Sequence, residues 1–262
     1  MNEDYMQTIQ ALRDEREERV RENPVNWLSL VGLIPLSEGE NRFESEIGLP
    51  GVLTLHGNRA ILSPAAGSDL LINGAPVKEA SALVSDADGE ADKITCGSLV
   101  ASVIRRGEKH FLRVWDTQAK ALKDFHGYHY FPIQPEYCIQ AEFVPFDPPR
   151  VQPSLDVIGT PGETTYLGEV HFTWQGKACI LLAADDDGDL LFDFRDETRR
   201  DSTYPGGRRL TASKPSGLTL TLDFNLALNW PCAYTAFATC PLPPFENRLA
   251  VRIEAGEMCY HD

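Results

Sequence analysis

Nothing in this sequence approaches the ~18 consecutive apolar residues of a membrane span. Its first thirty residues contain no basic segment followed by an apolar one. The expectation is a cytoplasmic protein with no membrane partner. Positive charge is scarce as well: 24 lysines and arginines stand against 39 aspartates and glutamates, for a net charge of −15. A field of that sign repels phosphate backbones, so nucleic acid is not an expected partner. The six cysteines (Cys96, Cys138, Cys179, Cys232, Cys240, Cys259) form no C-x-x-C pair. That argues against a compact zinc knuckle, and in the cytosol the thiols stay reduced. H-E-x-x-H, G-x-S-x-G and the phosphate-cradling P-loop are missing too. No metal and no other cofactor is therefore expected, and the usual hydrolase and nucleotidyl-transfer signatures are absent.

What is present is the composition of a globular protein, 42% hydrophobic and 24% charged over 262 residues. The segment NEDYMQTIQALRDEREERVREN reads as a helix ended by Asn23-Pro24. Tyr5, Ile9 and Leu12 make a narrow apolar stripe, and Glu15–Arg19 and Glu17–Arg21 make i,i+4 pairs. The remaining charges of this helix read as a solvated face.

Beyond the helix the apolar period falls from near 3.6 to 2. LVASVI, RRGEK and HFLRVW read as a hairpin, and VHFTW, ACILLA and LLFDFR as a three-strand meander. Further strands are expected through Leu218–Asn225 and through Leu249, Val251 and Ile253. The acidic turn ADDDGD lacks carboxylates at the first and twelfth positions of a calcium loop and is read as a hairpin turn. His126 and His129, in FHGYHYFP, are read as part of a packed turn. The proline-rich run FVPFDPPRVQPS is expected to cross between elements rather than lie within a central strand. The fold class is mainly β. Residues 1–36 form the helix and its linker, 37–118 an antiparallel sandwich, and 119–262 a second antiparallel unit, a barrel or sandwich meander.

Two segments concentrate chemistry. In RDETRRDSTYPGGRRL, Asp196, Thr198, Thr203, Tyr204 and Arg208 bring hydroxyls, a carboxylate and a guanidinium together around Gly206-Gly207. Such a set suits a carboxylate or phosphate, and equally suits a turn that satisfies its own backbone. In DFNLALNWPCAYTAFATCPLPPFENRL, Cys232 and Cys240 on one straight strand would lie about 26 Å apart at ~3.3 Å per residue. A disulfide needs Cα atoms within about 7 Å, so buried, inert thiols are the expectation unless the chain bends sharply. The polar residues left over are Asp223, Asn225, Asn229, Glu246 and Asn247.

These same residues carry a resemblance. RDET…STYPGGRRL, LDFNLALNWPCAY and TCPLPPFENRLAVRIEAGE resemble the C-terminal signature of a bacterial and archaeal family, domain of unknown function sixteen-eighty-four. The family elements fall on Asp196, Thr198, Thr203, Tyr204, Gly207 and Arg208, on Asp223–Asn225, on Asn229–Cys232, and on Cys240–Asn247. This chain departs from the pattern at Leu228-Asn229-Trp230-Pro231 and at Arg199. The resemblance groups residues and implies no reaction. Upstream, LLINGAPVKEASALVSDADGEADKITCGSLVASVIRRGEKHFLRVWD is similar to the closing strands of forkhead-associated sandwiches.

Three functional readings follow. One is binding of a small anionic or polyhydroxy ligand by Asp196, Thr198, Thr203, Tyr204, Arg208, Asn225, Asn229 and Asn247. A second is an enzyme, of hydrolase or isomerase type, with Asp223 or Glu246 as base and Tyr204 or Arg208 as electrostatic partner. The third is an interaction module on the N-terminal sandwich. Sequence leaves the oligomeric state open.

Overall fold

The computed structural model describes residues 2–215 and 217–261. The chain divides into two units, one of Val20–Phe125 and one joining Met1–Arg19 to His126–Asp262. Helix α1 (Asn2–Glu22) is where the sequence places it, and Glu15 pairs with Arg19. Its inward face differs by one residue from the expected stripe. Ile9 is 3% exposed, but Leu12 is 43% exposed and Arg13 only 7%. Positions 5, 9 and 13 share a face at a spacing of four, so Arg13 continues the stripe that Tyr5 and Ile9 begin.

In the Val20–Phe125 unit the strands are β1 (Leu30–Pro35), β2 (Gly39–Phe43), β3 (Leu49–His56), β4 (Arg59–Ser63) and β5 (Leu71–Ile72). They continue as β6 (Ala75–Pro76), β7 (Ser81–Leu83), β8 (Ile94–Cys96), β9 (Leu99–Arg106) and β10 (Lys109–Asp116). They form two antiparallel sheets, ordered β1-β10-β9-β8-β5-β6 and β2-β3-β4-β7. The hairpin read from alternation is β9–β10, with Arg106 opposite Lys109. Leu49, Leu53 and Leu62 from one sheet and Ile94, Val103 and Leu112 from the other share a single core, the arrangement of a sandwich.

The second unit carries β11 (Cys138–Leu155), β12 (Pro161–Trp174), β13 (Lys177–Asp186), β14 (Asp189–Phe194), β15 (Arg208–Ser213), β16 (Thr219–Asp223) and β17 (Leu228–Asn229). Its sheet runs β16-β11-β12-β13-β14-β15-β17 and is not closed into a barrel. The expected meander is β12–β13–β14, and the acidic turn joins β13 to β14. One face buries Val170, Leu181, Phe192, Phe194 and Leu222 beneath Leu249, Val251 and Ile253.

Three local expectations give way. The proline-rich run lies inside β11, because β16 pairs only with Cys138–Glu142. Beyond Glu142, β11 has β12 as its ladder partner, and the register breaks between Pro145 and Arg150. Prolines sit there because an edge strand with a bulge does not need every N–H. Second, Cys232 and Cys240 do not share a strand: Pro231–Ala233 is a 3₁₀ turn, and the Cys232 amide donates to Cys240 Sγ at 3.3 Å. Two prolines and short side chains favour the fold-back over an extended run. Third, Leu249, Val251 and Ile253 are buried on alternate positions, yet the segment forms no strand. Its backbone bonds go to the irregular stretch Arg195–Glu197 and, at Ile253, to the side chains described below.

Sheet parity yields the first prediction. Leu181 is 0% exposed and its neighbour Ile180 is 45% exposed. Leu181→Ala is expected to cost about 2–5 kcal/mol in urea unfolding, and Ile180→Ala under about 1 kcal/mol.

Candidate functional site

The motif RDETRRDSTYPGGRRL folds into a closed buried network. Asp196 leaves β14 and caps the 3₁₀ turn Glu197–Arg200: its Oδ1 accepts from the Thr198 amide at 2.9 Å and from the Thr198 hydroxyl. Thr198 and Thr203 are joined hydroxyl to hydroxyl at 2.9 Å. The chain returns through Gly206, which lies under the Tyr204 ring, and Gly207, at φ +106°. A Cβ at Gly207 would sit 2.6 Å from the Phe194 carbonyl oxygen, so glycine is required there.

Arg208 then opens β15 with its side chain 1% exposed. Its Nη2 donates to Asp196 Oδ2 at 2.7 Å and to the Ile253 carbonyl at 2.9 Å. Its Nη1 donates to the carbonyls of Ala255 and Glu257. Asp196 Oδ2 also accepts from the Ile253 amide at 3.2 Å. The ion pair thus does for the 253–257 segment what a neighbouring strand would have done. Burial pulls the Arg208 pKa below its ordinary value, with Asp196 opposing. Every guanidinium direction that has a partner ends on protein, and no face of Arg208 is open to a ligand.

The other sequence candidates are similarly engaged. Asn225 pairs with the Gln134 backbone in both directions, at 3.0 and 2.9 Å, and donates to the Tyr5 hydroxyl at 3.0 Å. Asp223 accepts from the Tyr5 hydroxyl at 2.8 Å and from the Asn225 amide at 3.1 Å, which fastens α1 to the sheet. Asn229 donates its backbone N–H to Glu257 and its side-chain amide to the Met258 carbonyl. Asn247 accepts from the Leu182 amide and donates to the carbonyls of Leu182 and Asp193. Glu246 is exposed and borders a separate cleft with Phe245, Arg150 and Arg248. Asp223, held by Tyr5 and Asn225, does not line that cleft. Tyr204 is half-buried beside Cys232.

A different set of polar residues is brought together. Glu257, 0% exposed, accepts from Arg16 at 3.0 Å and from the Tyr234 hydroxyl. Arg16 also donates to the Tyr130 hydroxyl at 2.7 Å and lies 3.7 Å over the Tyr128 ring. Arg13 donates to the carbonyls of Phe131 and Asn225, 4.3 Å over the Tyr130 ring. Its buried Nε has no hydrogen-bond partner among the described residues.

Between α1 and the β15–β17 edge, Arg13, Arg16 and Tyr130 contribute to the lining of a cleft of about 310 Å³. Arg13, Arg16 and Arg19 come from the helix, and Arg209 and Thr211 from β15. Leu12, Leu226 and Leu228 supply apolar wall, and Glu15 is the lining carboxylate. Arg209 stacks 4.7 Å over Trp230, whose indole N–H donates to Asp193 at 2.6 Å. Burial pushes Asp193 up to about 7, while Trp230 and Arg209 pull the other way.

The missed residues had a faint sequence signal. Strand alternation puts Arg209 on the face opposite Arg208, and Arg13 lies four residues after Ile9 and three before Arg16 on the helix.

The fold and this site define a mainly antiparallel β protein with a buried ion-pair network next to an arginine-lined cleft. Residues 123–258, just over half of the chain, match the family described as "Protein of unknown function (DUF1684)". The chain belongs to that family. It is also similar to the uncharacterized protein from gene locus rrnAC0354 of Haloarcula marismortui, known from a solution NMR structure. The identity is 31%, over 52% of this chain and 78% of that one, with a TM-score of 0.44. A search of curated proteins finds no match. Among the described residues no helix is long and apolar enough to cross a membrane, and no group of three or more His, Cys, Asp or Glu side chains is placed to hold a metal.

Two predictions follow. Arg208→Ala and Asp196→Ala should each cost about 3–5 kcal/mol, because each leaves a buried charge alone. The double variant should cost less than the two together, as a double-mutant cycle in urea will report. Asp193 has a folded pKa near 7, above its ordinary value of 3.8. The folded state then holds a proton that the unfolded chain has lost, so this group's contribution to stability falls as pH rises from about 4 to 7. The Asp193 carboxyl carbon should titrate by NMR with a midpoint near 7. Asp193→Asn should remove its share of the pH dependence.

Proposed function

We propose that the second unit binds a small anionic molecule, carrying carboxylate or phosphate groups, in the cleft between α1 and the β15–β17 edge. The observation that carries this reading is the concentration of four arginines on one cleft of a chain whose net charge is −15. Guanidinium groups recognise carboxylates and phosphates through paired N–H bonds, and a site partly screened from water strengthens them. Arg13 supports the assignment further, since its buried Nε has a donor to offer. Arg16 and Tyr130 fix the cleft wall, Arg209 supplies charge at the opening, where Arg19 is paired with Glu15, and Thr211 supplies a hydroxyl. The apolar wall of Leu12, Leu226 and Leu228 favours a ligand with a hydrocarbon or ring portion beside its charge.

Arg209 is the residue to test, because its removal leaves the Arg208–Asp196 and Arg16–Glu257 pairs intact. Inorganic phosphate and citrate, titrated at constant ionic strength against a chloride control, should raise the melting temperature of the native chain. Arg209→Ala should weaken the better-binding anion about tenfold to hundredfold by calorimetry, the range for a hydrogen bond to a charged group. Stabilisation no greater than that by chloride, or an unchanged affinity in Arg209→Ala, would remove this reading.

A further inference from the structure

The cysteines of NWPCAYTAFATCPL form a second chemical feature, separate from the arginine cleft. Pro231 starts a 3₁₀ turn, and the chain doubles back so that the Cys232 amide donates to Cys240 Sγ at 3.3 Å. The two thiols are electrostatically linked, so that a proton kept on Cys240 favours negative charge on the Cys232 sulfur. The Tyr204 side chain and the positive charge of Arg195 act on the same sulfur and favour its thiolate. Cys232 is half-buried, whereas Cys240 is buried behind it.

This is a division of labour between two thiols. Groups that favour negative charge, gathered on one sulfur, stabilise its thiolate, and partial exposure lets a small reagent reach it. Those interactions, that with Cys240 first, hold the Cys232 pKa down to about 7 against the opposing effect of burial. Its link to Cys232, with burial, pushes the Cys240 thiol up. A thiolate with a second thiol already in contact is the arrangement of a reactive cysteine and its resolving partner.

We propose that Cys232 and Cys240 form a hydroperoxide-reactive pair, in which Cys232 is oxidised first and Cys240 closes an intramolecular disulfide. The Cys232 thiolate attacks the terminal oxygen of the hydroperoxide. An S–O bond forms, the O–O bond breaks, and the departing oxygen takes a proton to leave as water or an alcohol. Cys240 sulfur then attacks the Cys232 sulfenic acid. The S–S bond forms, the S–O bond breaks, and the hydroxide leaves as water with the Cys240 proton. The two thiols lose two electrons and the peroxide gains them. The product staples a loop whose ends are eight positions apart in sequence.

The reduced full-length chain tests this in two ways. Limited alkylation with iodoacetamide at pH 7, read by peptide mass, should modify Cys232 about sixfold faster than Cys96, which is also half-buried. The factor combines a larger thiolate fraction with the lower nucleophilicity of a more acidic thiol. Stoichiometric hydrogen peroxide should remove two hydrogen atoms from the peptide carrying both cysteines, and dithiothreitol should restore them. In Cys240→Ser, dimedone should capture a sulfenic acid on Cys232; in Cys232→Ser, none should form on Cys240. Equal alkylation of Cys232 and Cys96, or a disulfide formed instead with Cys259 or between molecules, would overturn the proposal. If either variant fails to fold, the alkylation rates and peptide masses of the native sequence decide alone.

Discussion

The second unit rests on one buried ion pair, Arg208 with Asp196, each side chain 1% exposed. A charge taken from water is costly unless its hydrogen bonds are met, and here they are met largely by the carbonyls of an irregular segment. The carbonyls of Ile253, Ala255 and Glu257 all accept from Arg208. Their backbone is thereby held over the core, with Ile253 and Ala255 fully buried. Asp196 answers from the other side by accepting the Ile253 amide.

The consequences travel outward. Fixing residues 253–257 fixes Glu257, which holds Arg16, Tyr234 and the Asn229 amide. Arg16 ties α1 to this network at its C-terminal half, and Tyr5 on Asp223 ties it near its start. The helix so placed forms one wall of the arginine cleft. The motif residues and the cleft residues thus divide structure from chemistry between adjacent positions: Arg208 points into the fold, and Arg209 lines the cleft.

Much of the fold was legible because alternation of period 2 survives wherever a strand has one buried face. The hairpin β9–β10, the meander β12–β14 and β16 were read on that signal. It misleads at Leu249, Val251 and Ile253, where the backbone bonds go to the irregular stretch Arg195–Glu197 and, at Ile253, to the Arg208 and Asp196 side chains. The Cys232–Cys240 stretch was hard for the opposite reason: its alternating small residues imitate a strand, while Pro231 and the turn around it decide the backbone. Prolines in β11 argued against a strand until the limited reach of β16 showed that they lie where no second neighbour needs their N–H. The candidate site was legible as a group of residues and not as roles, because a turn that satisfies itself and a turn that holds a ligand use the same side chains. Arg13 and Arg16 were hidden in the charge run of α1, where a solvated face is the ordinary reading.

A crystal grown with an anomalously scattering oxyanion such as tungstate tests the division between Arg208 and Arg209 most directly. The account predicts anomalous density among Arg13, Arg16 and Arg209, with Arg208 still bonded to Asp196 and to the 253–257 carbonyls. Density at Arg208 with Asp196 displaced, and none in the cleft, would contradict it.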